Sequence, residues 1–374
     1  MSDLTLILLA AGSSSRFKFP VKKQWLRIGH DPLWHFVTKR LALTNFFSEI
    51  IITSHKSEVE FMKHYTPHKI ISGGDTRQES LKNALLHVNT PYVMVSDIAR
   101  ACIDTDLLHR IISKQGEADA IVPVLHVNDT IVYDNETIDR DRVKRVQTPQ
   151  LSCTKTLKNA LTSDTVFTDE SSAIVANGGT RIFVDGDDDA HKITFISDLL
   201  QLPCIKKPST QTLVGNGFDV HAFEKNKPMV LGAIAIDSDF GFKAHSDGDV
   251  AIHALIDALL GAAGMGDIGM LFPDSDATYS NIDSAILLKE VVTKLNNFGY
   301  VINNVDITIA AEVPRLSKYK TQMRHRLSEL LHIESSRTNI KATTTEKLGF
   351  IGRKEGVAVM ASATLNYYNW TGEQ

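Results

Sequence analysis

Apolar residues come in short unbroken runs along the first two hundred positions, at residues 4–10, 50–53, 92–96, 120–124 and 181–184. Runs of this length between polar turns predict strands buried on both faces. Helical spacing fills the gaps, at residues 32–43 (Asp31 as N-cap, Pro32 at the first helical position), 78–86, 106–113 and 169–176. Such alternation implies a Rossmann-like α/β domain, a mainly parallel sheet with helices on both faces. Residues 203–212 hold two prolines and two lysines without periodicity, which predicts domains at 1–205 and 213–374 joined by a linker at 206–212. In the second domain a strand at 217–221 precedes a Gly- and Asp-rich loop at 244–249 and an apolar helix at 250–260. Strands at 305–311, 339–344 and 357–365 then alternate with helical stretches at 284–296 and 316–331. Both domains read as α/β.

A chain of 374 residues exceeds one comfortable core, which agrees with two domains. With 43% hydrophobic and 22% charged residues the composition is that of an ordinary globular protein. The net charge is −4 without a basic block, so nucleic acid is not an expected partner, and an anionic substrate has to be held by local cations. The apolar run at residues 4–11 is too short to span a membrane and reads as a first strand. Cys102, Cys153 and Cys204 lie far apart with no C-x-x-C pair, which predicts reduced thiols in a cytoplasmic protein.

Asp219 and His221 are two residues apart on an expected strand and therefore project to one side of it. His253 opens an apolar helix further on. Two imidazoles and a carboxylate make a three-ligand set for a zinc ion with an open fourth position. The competing reading is a pair of packed core histidines. Asp257, one turn after His253, is either an orienting partner of that imidazole or a polar neighbour.

Three loops in the first domain also carry chemistry. The small-residue loop Ala10-Ala11-Gly12 with Arg16, Lys22 and Lys23, the turn from Gly73 to Arg77, and Asp97 at a strand end all follow successive strands. They would meet at one sheet edge, where open α/β sheets bind ligands. Neither G-x-G-x-x-G nor the Walker P-loop pattern is present. Taken singly, each loop also reads as a plain turn or a helix cap.

Together with Lys23-Gln24, Gly74-Asp75-Thr76-Arg77-Gln78-Glu79-Ser80, Asp97-Ile98-Ala99-Arg100, Thr148-Pro149-Gln150 and Thr168-Asp169-Glu170, these loops resemble 2-C-methyl-D-erythritol 4-phosphate cytidylyltransferases over residues 3–200. The resemblance implies transfer of CMP from CTP to methylerythritol phosphate with release of pyrophosphate. Arg16, Lys23 and Lys192 are then the cations around the triphosphate. Ala10, Ala11, Gly12, Gly74, Asp75 and Ser80 bind the nucleotide. Asp97, Arg100 and Thr168 meet the polyol phosphate, with Arg140 and Thr148 from a dimer partner's arm. Ser13-Ser14-Ser15 and Ser96-Asp97-Ile98 depart from the family pattern, and the choice between Lys22 and Lys23 stays open. Another polyol phosphate such as ribitol 5-phosphate, or an inactive assembly module, are the rival readings of this half.

Over residues 213–366, Gly217–Phe223, Ala244–Ala254, Gly266–Gly269, Leu271–Asp274 and Lys341–Phe350 resemble 2-C-methyl-D-erythritol 2,4-cyclodiphosphate synthases. That resemblance implies closure of a cyclic diphosphate from a cytidine diphosphate substrate, releasing CMP. It makes Asp219, His221 and His253 zinc ligands and Glu346 a Mg²⁺ ligand. Mg²⁺ (Mn²⁺ as an alternative) is implied at both sites. His245 and Ser246 contact the phosphate side of the substrate. Asp267, Phe272 and Asp274 line the polyol pocket. Thr343, Thr344, Phe350 and the segment from Ala311 to Leu316 hold the nucleotide, and Arg353 is either a phosphate ligand at a trimer axis or a surface arginine. The two reactions are not consecutive, since a kinase acts between them and no ATP-binding motif is present. A dimeric first family and a trimeric second one imply a homo-oligomer, with a hexamer satisfying both symmetries.

Overall fold

The run Leu4–Leu9 is buried along its whole length and forms β1, the middle of the first sheet. In the computed structural model, residues 3–12, 17, 20–162, 165–244, 246–273 and 282–372 are described. The chain divides into two units, Met1–Pro208 with Asn369–Gln374, and Ser209–Tyr368. In the first unit β1 is joined by β2 (Glu49–Ser54), β3 (Lys69–Ser72), β4 (Tyr92–Asp97), β5 (Ala120–His126), β6 (Lys144–Val146), β7 (Gln150–Cys153) and β8 (Arg181–Asp185). The sheet order is β6-β5-β7-β4-β1-β2-β3, and β8 pairs with β5. β4, β1, β2 and β3 are mutually parallel, while β7 is antiparallel to both neighbours. Leu9 pairs with Thr53 and Asp97, so the carboxyl ends of β1, β2 and β4 come level at one edge.

Several details differ from the sequence reading. Helix α1 spans Leu33–Ala42 with Pro32, not Asp31, at the N-cap. Asp31 and Pro32 pair antiparallel with Arg27 and Ile28, which holds the entry extended, and the Asp31 carboxylate accepts from His35 Nδ1 and Lys39 Nζ, both at 2.9 Å. The short strands β3, β6 and β7 went unread because three or four residues carry too little periodicity. The closing residues, expected with the second domain, pack in the first unit: Trp370 is buried and its indole Nε1 donates to Arg27 O at 2.8 Å.

The expectation of reduced thiols is also corrected. Cys102 and Cys204 form a disulfide, with Cα atoms 5.6 Å apart, and Cys153 alone is free. Their separation of 102 residues in the chain hid the pairing. Cys102 follows the loop after β4, and the end of the first unit returns beside it. No helix among the described residues is long and apolar enough to cross a membrane.

The second unit is a mixed sheet of β9 (Leu213–Lys225), β10 (Phe240–Phe242), β11 (Tyr300–Ala310), β12 (Thr338–Thr343) and β13 (Gly356–Tyr367), in the order β10-β9-β13-β11-β12. Helix α2 (Val250–Ala263) lies on it, with α3 (Ser284–Asn297) and α4 (Lys320–Leu331) further out in the chain. From Leu213 to Glu224 β9 alternates: its odd positions are buried or half-buried, and its even positions, Val214, Phe218 and Val220 among them, are exposed. Gly215 and Gly217 let α2 touch the strand. A Cβ at Gly217 would lie 1.9 Å from Ala254 O, and one at Gly215 would lie 2.1 Å from Ala258 O. The helix answers with Ala254, Ala258 and Ala262 at four-residue spacing on that face.

The start of α2 is fixed by Asp249, which is fully buried. Its carboxylate accepts from Ala251 N and Ile252 N of the first turn, and from Gly232 N and Ala233 N of a neighbouring turn. Four donors on one carboxylate offset the cost of burying it. Gly217→Ala is expected to lower the melting temperature of the second unit by about 5 °C, since overpacking typically costs about 1–3 kcal/mol. Lys289→Ala, at an exposed position of α3, should leave it within about 1 °C. Calorimetry of the two variants checks the difference.

Candidate active sites

The level ends of β1, β2 and β4 open into a cleft of about 560 Å³. It is lined by Ala10, Ala11, Gly12, Lys22, Lys23, His55, Gly74, Asp75, Arg77, Ser80, Asp97 and Lys192, among others. Nine residues to which the resemblance gave a role, Ala10, Ala11, Gly12, Lys23, Gly74, Asp75, Ser80, Asp97 and Lys192, therefore meet here. Arg16 lies outside the described residues. The Gly74–Ser80 turn is held by a capping box at the start of the helix Arg77–Leu85: Thr76 Oγ1 accepts from Glu79 N, and Glu79 Oε2 accepts from Asp75 N and Thr76 N. Ser80 Oγ accepts from Gly74 N at 3.1 Å, which pins the glycine over the cleft.

The two neighbouring lysines have different partners. Lys22 Nζ pairs with Glu58, a wholly buried carboxylate that also accepts from Trp25 Nε1 at 2.9 Å. Lys23 Nζ donates to Ile193 O at 2.8 Å, beside Lys192 in the chain. Lys192 Nζ reaches Asp97 Oδ2 at 2.7 Å. On the other side Arg77 Nε donates to Asp97 Oδ1 at 3.1 Å, and Arg77 Nη1 donates to Glu170 Oε1 at 2.6 Å. Glu170, Arg77, Asp97 and Lys192 thus form a line of alternating charge across the cleft floor.

Burial alone would raise the Asp97 pKa, but Arg77 and Lys192 outweigh it and hold the group at about 2. Asp97 is thereby an ionised, acceptor-only group at neutral pH. Glu170 is pushed above its ordinary value by complete burial, against the pull of Arg77. Arg77 and Glu170 were quoted in motifs without a role, because their meeting depends on a contact 93 residues apart.

Other residues named for this site are not among those lining the cleft. Arg100 is buried, donating from Nε to Thr148 Oγ1 at 2.9 Å and from Nη1 to Ala190 O at 2.6 Å. Thr148 therefore faces Arg100 of its own chain. Arg140 is exposed on the 126–146 excursion and donates to Asn128 O at 2.6 Å. Thr168 is exposed just before Asp169, the N-cap of the helix Glu170–Ala176.

In the second unit, Asp219 and His221 on β9 meet His253 on α2. Both His221 Nδ1 and His253 Nδ1 lie 3.2 Å from Asp219 Oδ2. One ligand atom from each residue lies within 4.8 Å of the others, so the three could hold a metal ion. Ligand atoms around a tetrahedral zinc with bonds of about 2.0–2.1 Å sit roughly 3.4 Å apart, close to the observed spacing. His221 Nδ1 is buried without a hydrogen-bond partner, as a ligand atom would be. Burial would raise the Asp219 pKa, yet His221 and His253 in their protonated forms outweigh it and hold the group well below the usual carboxylate range.

Asp257 does not orient His253: its Oδ1 accepts from Ile268 N at 2.8 Å, anchoring the turn Ile268–Leu271. Asp267 caps that turn, accepting from Met270 N at 2.8 Å, and Phe272 follows it, buried. Ser246 Oγ accepts from Gly248 N at 3.1 Å. His245 and Asp274 lie outside the described residues.

Across the sheet, Thr344 Oγ1 donates to Glu346 Oε1 at 3.0 Å. Glu346 has φ 52°, a left-handed conformation costing roughly 1–2 kcal/mol. Glu312, which the sequence reading passed over within the Ala311–Leu316 segment, supports this turn. Its Oε1 accepts from Thr345 N and Lys347 N, both at 3.1 Å. Ala311 N donates to Thr343 O at 3.0 Å, and Leu316 is buried behind. Phe350 is exposed, and Arg353 is an exposed arginine forked onto Glu355 at 2.9 and 3.0 Å.

Removing Arg77 would leave Glu170 buried and unpaired. Arg77→Met should destabilise the first unit by about 3 kcal/mol at pH 7. Glu170 already titrates above its ordinary value, and protonation removes the buried charge, so the loss should shrink toward pH 5. Urea denaturation of wild type and variant at both pH values measures it.

Comparison with known proteins agrees with this two-part layout. Residues 4–205 match the family model of 2-C-methyl-D-erythritol 4-phosphate cytidylyltransferase, and residues 212–366 match that of the YgbB family. The bifunctional enzyme IspD/IspF of Sulfurimonas denitrificans is 64% identical over 371 residues, covering 99% of this chain and 96% of that protein. That of Campylobacter concisus is 53% identical, covering 99% of this chain and 100% of that protein. The solved structure of the bifunctional IspDF from Campylobacter jejuni matches with a TM-score of 0.90 at 48% identity, covering 99% of this chain and 100% of that chain. With two chemically distinct sites on two units that each match their own family, the chain belongs to the bifunctional IspD/IspF enzymes, a cytidylyltransferase and a cyclodiphosphate synthase of the methylerythritol phosphate route in one polypeptide.

Proposed function

We propose that the cleft of the first unit transfers CMP from CTP to 2-C-methyl-D-erythritol 4-phosphate, with Lys23 and Lys192 as its cations. The observation that carries this is their convergence with Asp97 beside the Ala10–Gly12 and Gly74–Asp75 loops. An oxygen of the substrate phosphate forms a bond to the α-phosphorus of CTP. The α–β phosphoanhydride bond breaks, and pyrophosphate leaves with the electron pair. Negative charge spreads over the equatorial oxygens, so positioned cations do most of the work. A lysine about 4 Å away contributes roughly 4 kcal/mol at an effective dielectric near 20. Arg16 is proposed to add a third cation, and Mg²⁺ a further one. Asp97, kept ionised, accepts from a substrate hydroxyl. Lys22 is neutralised by Glu58, which favours Lys23 as the catalytic lysine.

In the second unit Asp219, His221 and His253 would hold zinc, and Glu346 would hold Mg²⁺. Bound there, the metals would polarise phosphate oxygens of the cytidine diphosphate substrate. The residues supply the positioning. Thr343, Thr344 and the Ala311–Leu316 segment hold the nucleotide, and Asp267 and Phe272 border the polyol. The substrate's own 2-phosphate then bonds to the β-phosphorus as the bond to CMP breaks. An intramolecular attack needs a held conformation and no protein nucleophile.

The register favours a homo-oligomer for this half. Val220 pairs with Ala358, Ala358 with Ala310, and Ala310 with Thr343. Three strand spacings place Thr343 about 14 Å from β9, too far for one chain to grip a single diphosphate from both sides. A second copy closes the gap, and the exposed apolar face of Val214, Phe218, Val220 and Met360 is the surface such copies would share. A trimer of second units with paired first units is the proposed assembly.

Lys23→Ala should cut pyrophosphate release by at least about 100-fold while CMP release stays at the wild-type rate. Lys22→Ala should cost less. His253→Ala should do the reverse, abolishing CMP release and zinc retention with pyrophosphate release unchanged. Equal loss of both activities in either variant would contradict independent sites. A coupled pyrophosphate assay with methylerythritol phosphate and ribitol 5-phosphate tests the acceptor: activity with the second alone would overturn the proposed substrate.

A further inference from the structure

His253 makes its second contact to a residue outside the sequence motif that contains it. We infer that Ser284, held by Asp247, is a positioning residue that sets the tautomer and ring orientation of His253 for metal binding. The inference rests on the reading of Asp219, His221 and His253 as a metal site.

The hydrogen-bond roles follow from counting protons. Ser284 Oγ bonds Asp247 Oδ1 and also lies 3.0 Å from His253 Nε2. The Ser284 backbone N donates to Asp247 Oδ2 at 3.2 Å. A carboxylate only accepts, so the single hydroxyl hydrogen of Ser284 goes to Asp247. What faces His253 is then a serine lone pair, and Nε2 must carry the ring proton. In the neutral ring Nδ1 is left with a lone pair. That atom points at Asp219 Oδ2 from 3.2 Å, acceptor against acceptor, which is favourable once a cation lies between them. His221 Nδ1, buried without a hydrogen-bond partner, lies 3.2 Å from the same oxygen.

The pair also fastens the ligand to the substrate loop. Ser284 is fully buried at the first position of α3, where Asp283 rather than Ser284 serves as the N-cap. Asp247 belongs to the 244–249 loop, and its own N donates to Ile282 O at 3.4 Å. Asp247 Oδ1 further accepts from Asp249 N at 3.2 Å. One carboxylate therefore ties together the loop, the start of α3 and, through a hydroxyl, the metal-ligating imidazole. Partners of this kind fix the ring and typically alter metal affinity by about 10–100-fold when removed.

The test uses the full chain loaded with zinc. In wild type, ¹⁵N–¹H correlation of the imidazoles should show His253 protonated at Nε2, with the metal on Nδ1. Ser284→Ala should weaken zinc binding by about 10–100-fold in competition with a chromophoric chelator, and slow CMP release at limiting zinc. Asp247→Asn should fall between Ser284→Ala and wild type. Pyrophosphate release by the first unit should be unchanged in both variants, reporting an intact chain. A wild-type His253 protonated at Nδ1, or unaltered zinc affinity in Ser284→Ala, would overturn the inference while leaving the metal site standing. Stoichiometric zinc retained by His253→Ala would instead overturn the metal site itself.

Discussion

The close approach of α2 to β9 is the constraint on which the second active site depends. Gly215 and Gly217 give up their side chains, and Ala254, Ala258 and Ala262 keep theirs small, so that a helix rests directly on a strand. Only at that distance can His253 on the helix share Asp219 Oδ2 with His221 on the strand. A Cβ 1.9 Å from a carbonyl oxygen cannot be accommodated by side-chain rotation, so any larger residue has to move the helix. Asp249 then sets where the helix begins, because four backbone donors converge on it. Backbone packing supplies the distance, and the buried carboxylate supplies the register.

The first unit reaches a comparable result by electrostatics. Parallel pairing brings the ends of β1, β2 and β4 level, and the cleft floor is then an ordered row of opposite charges. Glu170 neutralises Arg77, and Arg77 and Lys192 together keep Asp97 ionised. Such a row is costly to bury unless every member is paired, which ties the start of the helix Arg77–Leu85 to the end of β4 at Asp97. Lys22 is drawn into a separate buried pair with Glu58, and Lys23 remains directed to the carbonyl of Ile193 at the cleft.

What could be read from the sequence follows how local each signal is. The strand period placed Asp219 and His221 on one side, and the apolar run after Asp249 announced the helix that carries His253. The glycine turn before the helix at 78–86 and the parallel core of the first unit were legible for the same reason. Ser284, Asp247 and the Glu170–Arg77 pair were not, since each acts only on a residue brought in by tertiary packing. The Cys102–Cys204 disulfide was misread because spacing along a chain says little about spacing in a fold. Asp257 shows the converse: helical spacing put it next to His253, but a backbone N–H from the following turn took its carboxylate.

The most direct test of the account is anomalous diffraction across the zinc absorption edge, on crystals of the full chain grown with zinc. The expected result is a peak about 2.0–2.2 Å from Asp219 Oδ2, His221 Nδ1 and His253 Nδ1, with Ser284 Oγ still against His253 Nε2. A peak located elsewhere, or a His253 ring turned to bind through Nε2, would contradict it.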